Sequence, residues 1–146
     1  MFSHYTGERN KRYCIYLYLG RTLHRTEEEL KNVIRYSLSK AFESLLGGNG
    51  LYVLRFHVER RLDMDMYEAF YEDPHKFYKA VEDFLGEGAE ALMRLIIAWL
   101  IQNGYLEVAN LTADNFMKLL KEGGEMAKIM IRSSFRGESK GVVGGW

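Results

Sequence analysis

The sequence predicts a mainly α fold, a single-domain helical bundle of five or six helices. Apolar residues recur at helical spacing through most of the 146 residues, and most of these stretches begin after a capping residue and end at a glycine. A chain of this length can bury about 70% of the surface that it exposes when unfolded, which suffices for one core. We therefore assign residues 1–146 to one domain, with 1–12 and 133–146 as flexible tails.

The first half of the chain predicts two helices. Thr26 and Glu29 have the spacing of a capping box, and the helix that starts there ends at Gly47. Its apolar stripe consists of Leu30, Ile34, Leu38, Phe42 and Leu45. Asn49 can cap a second helix. The apolar face of that helix comprises Leu51, Leu54, Val58 and Leu62, widened by Tyr52 and Phe56.

The second half predicts three further helices. Residues 63–72 form an acidic connector or a short helix, and Asp73 with Pro74 begins a helix that ends at Gly86. The next helix spans 87–103. Because its centre is apolar on nearly all sides, we expect it to be the buried central helix, with Leu95 and Ile96 in the core. Thr112 begins a fifth helix that ends at Gly123.

Residues 13–19 alternate aliphatic with aromatic side chains and cysteine, which indicates a short strand, although the run could also begin a helix packed on the bundle. Residues 126–131 fit a sixth helix or a strand beside that run. A strand needs a partner for its backbone groups, either 126–131 or the same strand of a second chain. Ten Tyr, eight Phe and two Trp also exceed what short helices easily bury. The candidate self-association interface is Tyr13, Ile15, Tyr16, Leu17, Tyr18 and Leu19.

No pattern of reactive side chains predicts catalysis, a cofactor or a metal. His57 lies near Glu59 in the sequence, which alone does not indicate a metal site. Glu72 and His75 have the Glu-x-x-His spacing of di-iron bundles, but such a site needs two Glu-x-x-His pairs and further carboxylates. The glycines at 47–50 are not followed by the Gly-Lys-Ser/Thr of a phosphate loop. Cys14 is the only cysteine, which fits a reducing cytoplasm, and no apolar run is long enough to span a membrane.

The formal net charge is zero, but the charges are unevenly distributed. Residues 1–40 carry +4 and residues 63–90 carry −7, so these regions can attract one another or a charged partner. The basic start of the chain also supports an alternative function, non-specific binding of nucleic acid through charge and stacking. Its candidate contacts are Lys11, Arg12, Arg21 and Arg25.

Several short motifs between Ala41 and Met130, about 60% of the chain, resemble a family of small archaeal helical domains described as signalling output domains. They are Ser44-Leu45-Leu46-Gly47, Leu54-Arg55-Phe56-His57-Val58-Glu59, Asp73-Pro74-His75-Lys76-Phe77, Phe84-Leu85-Gly86-Glu87-Gly88-Ala89 and Phe116-Met117. The resemblance implies a helical bundle from an archaeon, with no assigned activity and no catalytic residues. A single glutamine among 27% charged residues is also typical of thermophiles.

Together these patterns predict a protein-interaction or regulatory module rather than an enzyme. Its expected partner is a second copy of itself or another protein.

Overall fold

The computed structural model describes residues 26–107 and 111–136, and within these ranges the fold is mainly α. Its helices are α1 (Glu27–Leu62), α2 (Met66–Glu72), α3 (Pro74–Leu85), α4 (Gly88–Gln102), α5 (Ala113–Glu122) and α6 (Glu125–Ser133). The run 13–19 and the basic residues Lys11, Arg12, Arg21 and Arg25 lie outside the described residues. In the part that is described, no helix combines the length and apolarity needed to cross a membrane.

The helix starts predicted at Thr26, Asp73 and Thr112 are confirmed by their hydrogen bonds. The Thr26 hydroxyl accepts from the Glu29 amide at 3.0 Å, and the Glu29 carboxylate accepts from the Thr26 amide at 3.0 Å. Asp73 caps α3, and Thr112 caps α5. Each side chain satisfies an amide that has no partner inside the helix, which is why these residue types mark helix starts in the sequence.

The break predicted near Gly47 is confirmed: two helical stretches meet at a kink there, and together they make up α1. Only Gly47 has non-helical angles, with φ 78° and ψ 170°. A side chain disfavours positive φ, so glycine permits this kink where other residues would be strained. No loop separates the halves, and Asn49 lies inside α1 rather than at its start. The expectation that Asn49 caps a separate helix was therefore wrong.

The central helix is α3, which packs against α1, α2, α4 and α5. Its Phe77 ring is fully buried and makes edge contacts with Phe42, at 6.4 Å between centroids, and with Phe70, at 5.3 Å. The prediction that the 87–103 helix is the central one was wrong. Helix α4 buries only the side that faces its neighbours, so Ile96 is inaccessible while Leu95 is 56% exposed.

The C-terminal part confirms one prediction and contradicts another. Residues 126–131 belong to helix α6, which confirms the sixth helix that the sequence offered and rules out the alternative strand. The chain also remains packed beyond residue 133, because Phe135 is buried and forms an antiparallel bridge with Leu106. The Glu107 amide donates to the Ser134 carbonyl at 2.8 Å. Residues 133–136 are thus part of the fold, and 137–146 lie outside the described residues.

Candidate interaction surface

The outward side of the second half of α1 exposes large apolar side chains. Tyr52 is 71% exposed, and Val53 and Phe56 are also exposed. At 100° per residue these positions lie roughly opposite the buried Leu54 and Val58. Assigning Tyr52 and Phe56 to the buried face was therefore wrong. Because apolar residues occupy both sides of this half of α1, the spacing alone did not show which side faces the core.

Aromatic rings extend this exposed side toward the end of α3. The Phe56 ring contacts the His57 ring edge-on at 5.2 Å, and His57 stacks on Phe84 at 4.3 Å. Arg60 lies 5.5 Å from the Phe56 centroid, and Arg61 lies 5.8 Å from that of Phe84. These contacts hold the rings and the guanidinium groups in place relative to one another. The α1 aromatic surface is the set Tyr52, Val53, Phe56, His57, Arg60, Arg61 and Phe84.

The two arginines of this surface have no carboxylate partner within the ranges that the structure describes. Arg61 instead donates to the carbonyl of His57 at 3.1 Å. By contrast, Arg55 on another side of α1 lies 2.7 Å from Glu59 and 2.8 Å from Asp65. The surface therefore combines exposed apolar area with two cationic groups that can bind carboxylates.

A cluster of charged groups fixes this half of α1 against α2. Asp65 accepts hydrogen bonds from Arg35 at 2.7 Å and from Arg55 at 2.8 Å. Both guanidinium groups also lie over the Tyr67 ring, at 5.3 and 5.1 Å. Burial opposes ionisation of Asp65, but the bonds from the Glu68 amide and from Arg35 outweigh it and lower the pKa of Asp65. These contacts join both halves of α1 to the start of α2.

Tyr67 is the one group of this cluster that lacks a polar partner. Its hydroxyl is buried and has no hydrogen bond. Burial is the largest influence on this phenol, and it raises the pKa of Tyr67 to about 12. The ring supplies packing and the cation–π contacts, whereas the hydroxyl adds an unmet hydrogen-bonding requirement.

The histidines and carboxylates considered in the sequence do not converge on one centre. His57 stacks on Phe84, while Glu59 bonds Arg55 and the Met66 amide on another side of α1. His75 Nδ1 donates to the Leu120 carbonyl at 2.9 Å, so its Nδ1 serves to join α3 to α5.

His75 also lines an open pocket of about 270 Å³, whose lysines are engaged by acidic residues. Lys79 bonds Glu82 at 3.0 Å, and Lys121 bonds Glu90 at 2.7 Å. Across 26–107 and 111–136, no group of three or more His, Cys, Asp or Glu is arranged to hold a metal ion. The α1 aromatic surface is therefore the strongest candidate for function.

Comparison with known proteins gives no match: no family model, no curated protein and no solved structure is similar to this chain.

Proposed function

We propose that this protein is a non-catalytic protein-interaction module that associates with a second copy of itself through the α1 aromatic surface. The observation that carries the proposal is the exposure of Tyr52, Val53 and Phe56 on one side of a helix, beside two arginines that have no carboxylate partner among the described residues. Aromatic residues and arginine are enriched where proteins meet. The regulatory role and archaeal source implied by the family resemblance, and a cytoplasmic location inferred from the single cysteine, belong to this proposal.

A two-fold contact between two α1 helices would be antiparallel. In a parallel pair the guanidinium groups of the two Arg60 side chains would lie side by side and repel. In an antiparallel pair centred between Val53 and Phe56, those side chains are separated by about 16 Å along the axis at 1.5 Å per residue. That separation exceeds the screening length of about 8 Å at physiological salt. The arrangement also places the Val53 of each copy against the Phe56 of the other.

The expected association is weak. Each of Tyr52, Val53 and Phe56 is already partly covered, so burying the remainder contributes about 1 kcal/mol per side chain. A symmetric contact buries these residues of both copies. Part of that gain is offset by the freedom of motion that each copy loses on association. The dimer should therefore form in a concentration-dependent manner rather than be permanent.

The test is the molar mass in solution as a function of concentration, measured by sedimentation equilibrium. We expect the mass of the wild type to rise from monomer toward dimer, and the mass of Phe56→Asp to stay at the monomer value. Leu95→Asp is the matched control, because Leu95 is similarly exposed but lies on α4. A wild type that remains monomeric at all concentrations, or a Phe56→Asp variant that dimerises like the wild type, would overturn the proposal.

Non-specific nucleic-acid binding is the second candidate, because arginines beside aromatic rings can also bind phosphates and stack on bases. Two cations, however, neutralise only about two phosphates, which gives a salt dependence of about −1.4 for a single strand. We expect weak binding to single-stranded DNA at physiological salt. Submicromolar, salt-sensitive binding that is lost in Arg60→Ala would favour this candidate, and loss in Lys11→Ala would assign it to the basic N-terminal segment.

A further inference from the structure

Helix α6, the last of the described helices, exposes a second apolar area. Met126 is 67% exposed, and Ile129 and Met130 are exposed as well. Ala127 and Ile131 of the same helix are buried, so the three exposed residues are those left on the outer side. We call Met126, Ile129 and Met130 the α6 apolar face. Three neighbouring large side chains on a helix of nine residues are an uncommon exposure for a soluble protein.

The described chain begins close to this helix. Lys31 of α1 lies 5.3 Å from the Tyr71 ring, and Arg132 of α6 lies 3.7 Å from the same ring. Arg132 also donates to the Tyr71 carbonyl, at 2.6 and 2.9 Å. The first turns of α1 and helix α6 thus meet at Tyr71. Thr26, where the described residues begin, lies within two turns of this junction along α1.

The chain before Thr26 is long enough and apolar enough to reach the α6 apolar face. Residues 13–19 are apolar or aromatic throughout, and 20–25 connect them to Thr26. Six residues can extend about 20 Å. Helix α6, with nine residues, is about 14 Å long. The connection therefore permits contact with the whole length of the face.

The charges of the two parts are complementary. Residues 1–25 contain five Lys or Arg and one Glu, a formal net charge of +4. The entry point is acidic, with exposed Glu27, Glu28 and Glu72, and Glu125 opens α6 with its side chain 76% exposed. Among residues 26–107 and 111–136, neither Glu27 nor Glu28 has a salt bridge within 4.0 Å, although the charge of Glu27 helps to raise the pKa of Lys31. By contrast, residues 137–146 are neutral, and their longest apolar run is Val142 and Val143.

We infer that residues 13–19 of the same chain cover the α6 apolar face, with the basic residues on either side of the run placed against Glu27, Glu28 and Glu125. The contact joins the two ends of the chain. It uses a different surface from the self-association proposed above, so either proposal can fail without the other. Because residues 126–131 are helical, residues 13–19 would pack their side chains on α6 instead of pairing with it as a strand, which the sequence analysis had considered.

Cys14 provides the test, since it is the only cysteine and lies within the covering run. The measurement is its rate of alkylation by iodoacetamide in the chain 1–146, relative to the rate in guanidinium chloride. We expect Cys14 to react several-fold more slowly in the native chain. Ile129→Asp and Met126→Asp should raise the rate toward the denatured value, because a carboxylate on the face repels the apolar run. Both positions are exposed, so these variants should stay folded, as circular dichroism would verify.

The controls test whether the α6 apolar face is covered by residues 13–19 of the same chain or by a second copy. Leu95→Asp and Phe56→Asp change other exposed positions and should leave the rate unchanged. Three results would each overturn the inference: a native rate equal to the denatured rate, a slow rate that Ile129→Asp does not change, and a slow rate that rises on dilution. The last result would identify a second copy as the occupant.

Discussion

Replacing Ile96 with Ala should destabilise the protein strongly, whereas replacing its neighbour Leu95 should not. Ile96 is 0% exposed, and Ile→Ala removes three carbon atoms. At 0.8 kcal/mol for each buried carbon the transfer loss is about 2.4 kcal/mol. Incomplete collapse of the cavity raises the expected loss to about 3 to 4 kcal/mol. Leu95 is 56% exposed and would leave no closed cavity, so Leu95→Ala should cost less than about 1 kcal/mol.

The assay is reversible urea unfolding followed by far-ultraviolet circular dichroism, with thermal unfolding as a second measurement. In a domain of this size a loss of 3 kcal/mol lowers the melting temperature by about 10 °C. Leu95→Ala is the matched control, because it sits in the same helix and loses as many carbon atoms. Equal losses for both variants would show that α4 is buried on both sides, and the orientation of this helix would be wrong.

Three further predictions concern α1 and its junction with α2. Gly47→Ala should lower the free energy of unfolding by about 1 to 2 kcal/mol, because Gly47 has φ 78°. Gly48→Ala should raise it by about 0.5 to 1 kcal/mol in urea unfolding, because the added carbon meets nothing within 4 Å. If Gly48→Ala proved the more damaging of the two, the kink at Gly47 would be contradicted. Tyr67→Phe should leave the free energy of unfolding unchanged or raise it by up to about 1 kcal/mol, since the hydroxyl is buried without a partner. Burial raises the pKa of Tyr67 to about 12, so this group's contribution is fully present below its unfolded pKa of about 10 and is lost as pH rises through the folded value. That alkaline loss should be smaller in Tyr67→Phe than in the wild type, because Tyr71 and Tyr78, whose pKa values burial also raises, remain in both. The pKa of Asp65 is lowered on folding, so its contribution to stability is present above the unfolded pKa of about 3.9 and is lost as pH falls through the folded value. Asp65→Asn should therefore lower the free energy of unfolding at neutral pH. If the difference in free energy between this variant and the wild type did not shrink in acid, this role of Asp65 would be wrong.

The sequence was informative wherever the determinant is local. Thr26 and Thr112 begin helices because their hydroxyls bond amides three residues ahead, and that spacing is visible in the chain. Gly86 and Gly123 end helices with positive φ, which glycine adopts without strain. Gly47 likewise interrupts α1 with positive φ, as the sequence predicted, although the chain resumes a helix at once instead of entering a loop.

The candidate surface was harder to predict, because an apolar side chain has the same identity whether it faces a neighbour or the solvent. Phe56 and Val58 are both apolar, yet only Val58 faces the core. The His57–Phe84 stack joins residues that are distant in the chain, and no pattern of spacing predicts it. The charged cluster around Asp65 likewise depends on Arg35, which lies thirty residues earlier.

By itself, the sequence determined that this protein is a helical bundle, and where most helices begin and end. Those properties follow from capping bonds, glycine conformations and apolar periodicity, each of which acts within a few residues. Only the tertiary structure decided that α3 rather than α4 is central, that residues 126–131 are helical, and that Tyr52 and Phe56 face outward. Burial depends on how many neighbours surround a helix and from which directions. That is a property of the packed assembly of helices, and it is not encoded in the pattern of any one of them.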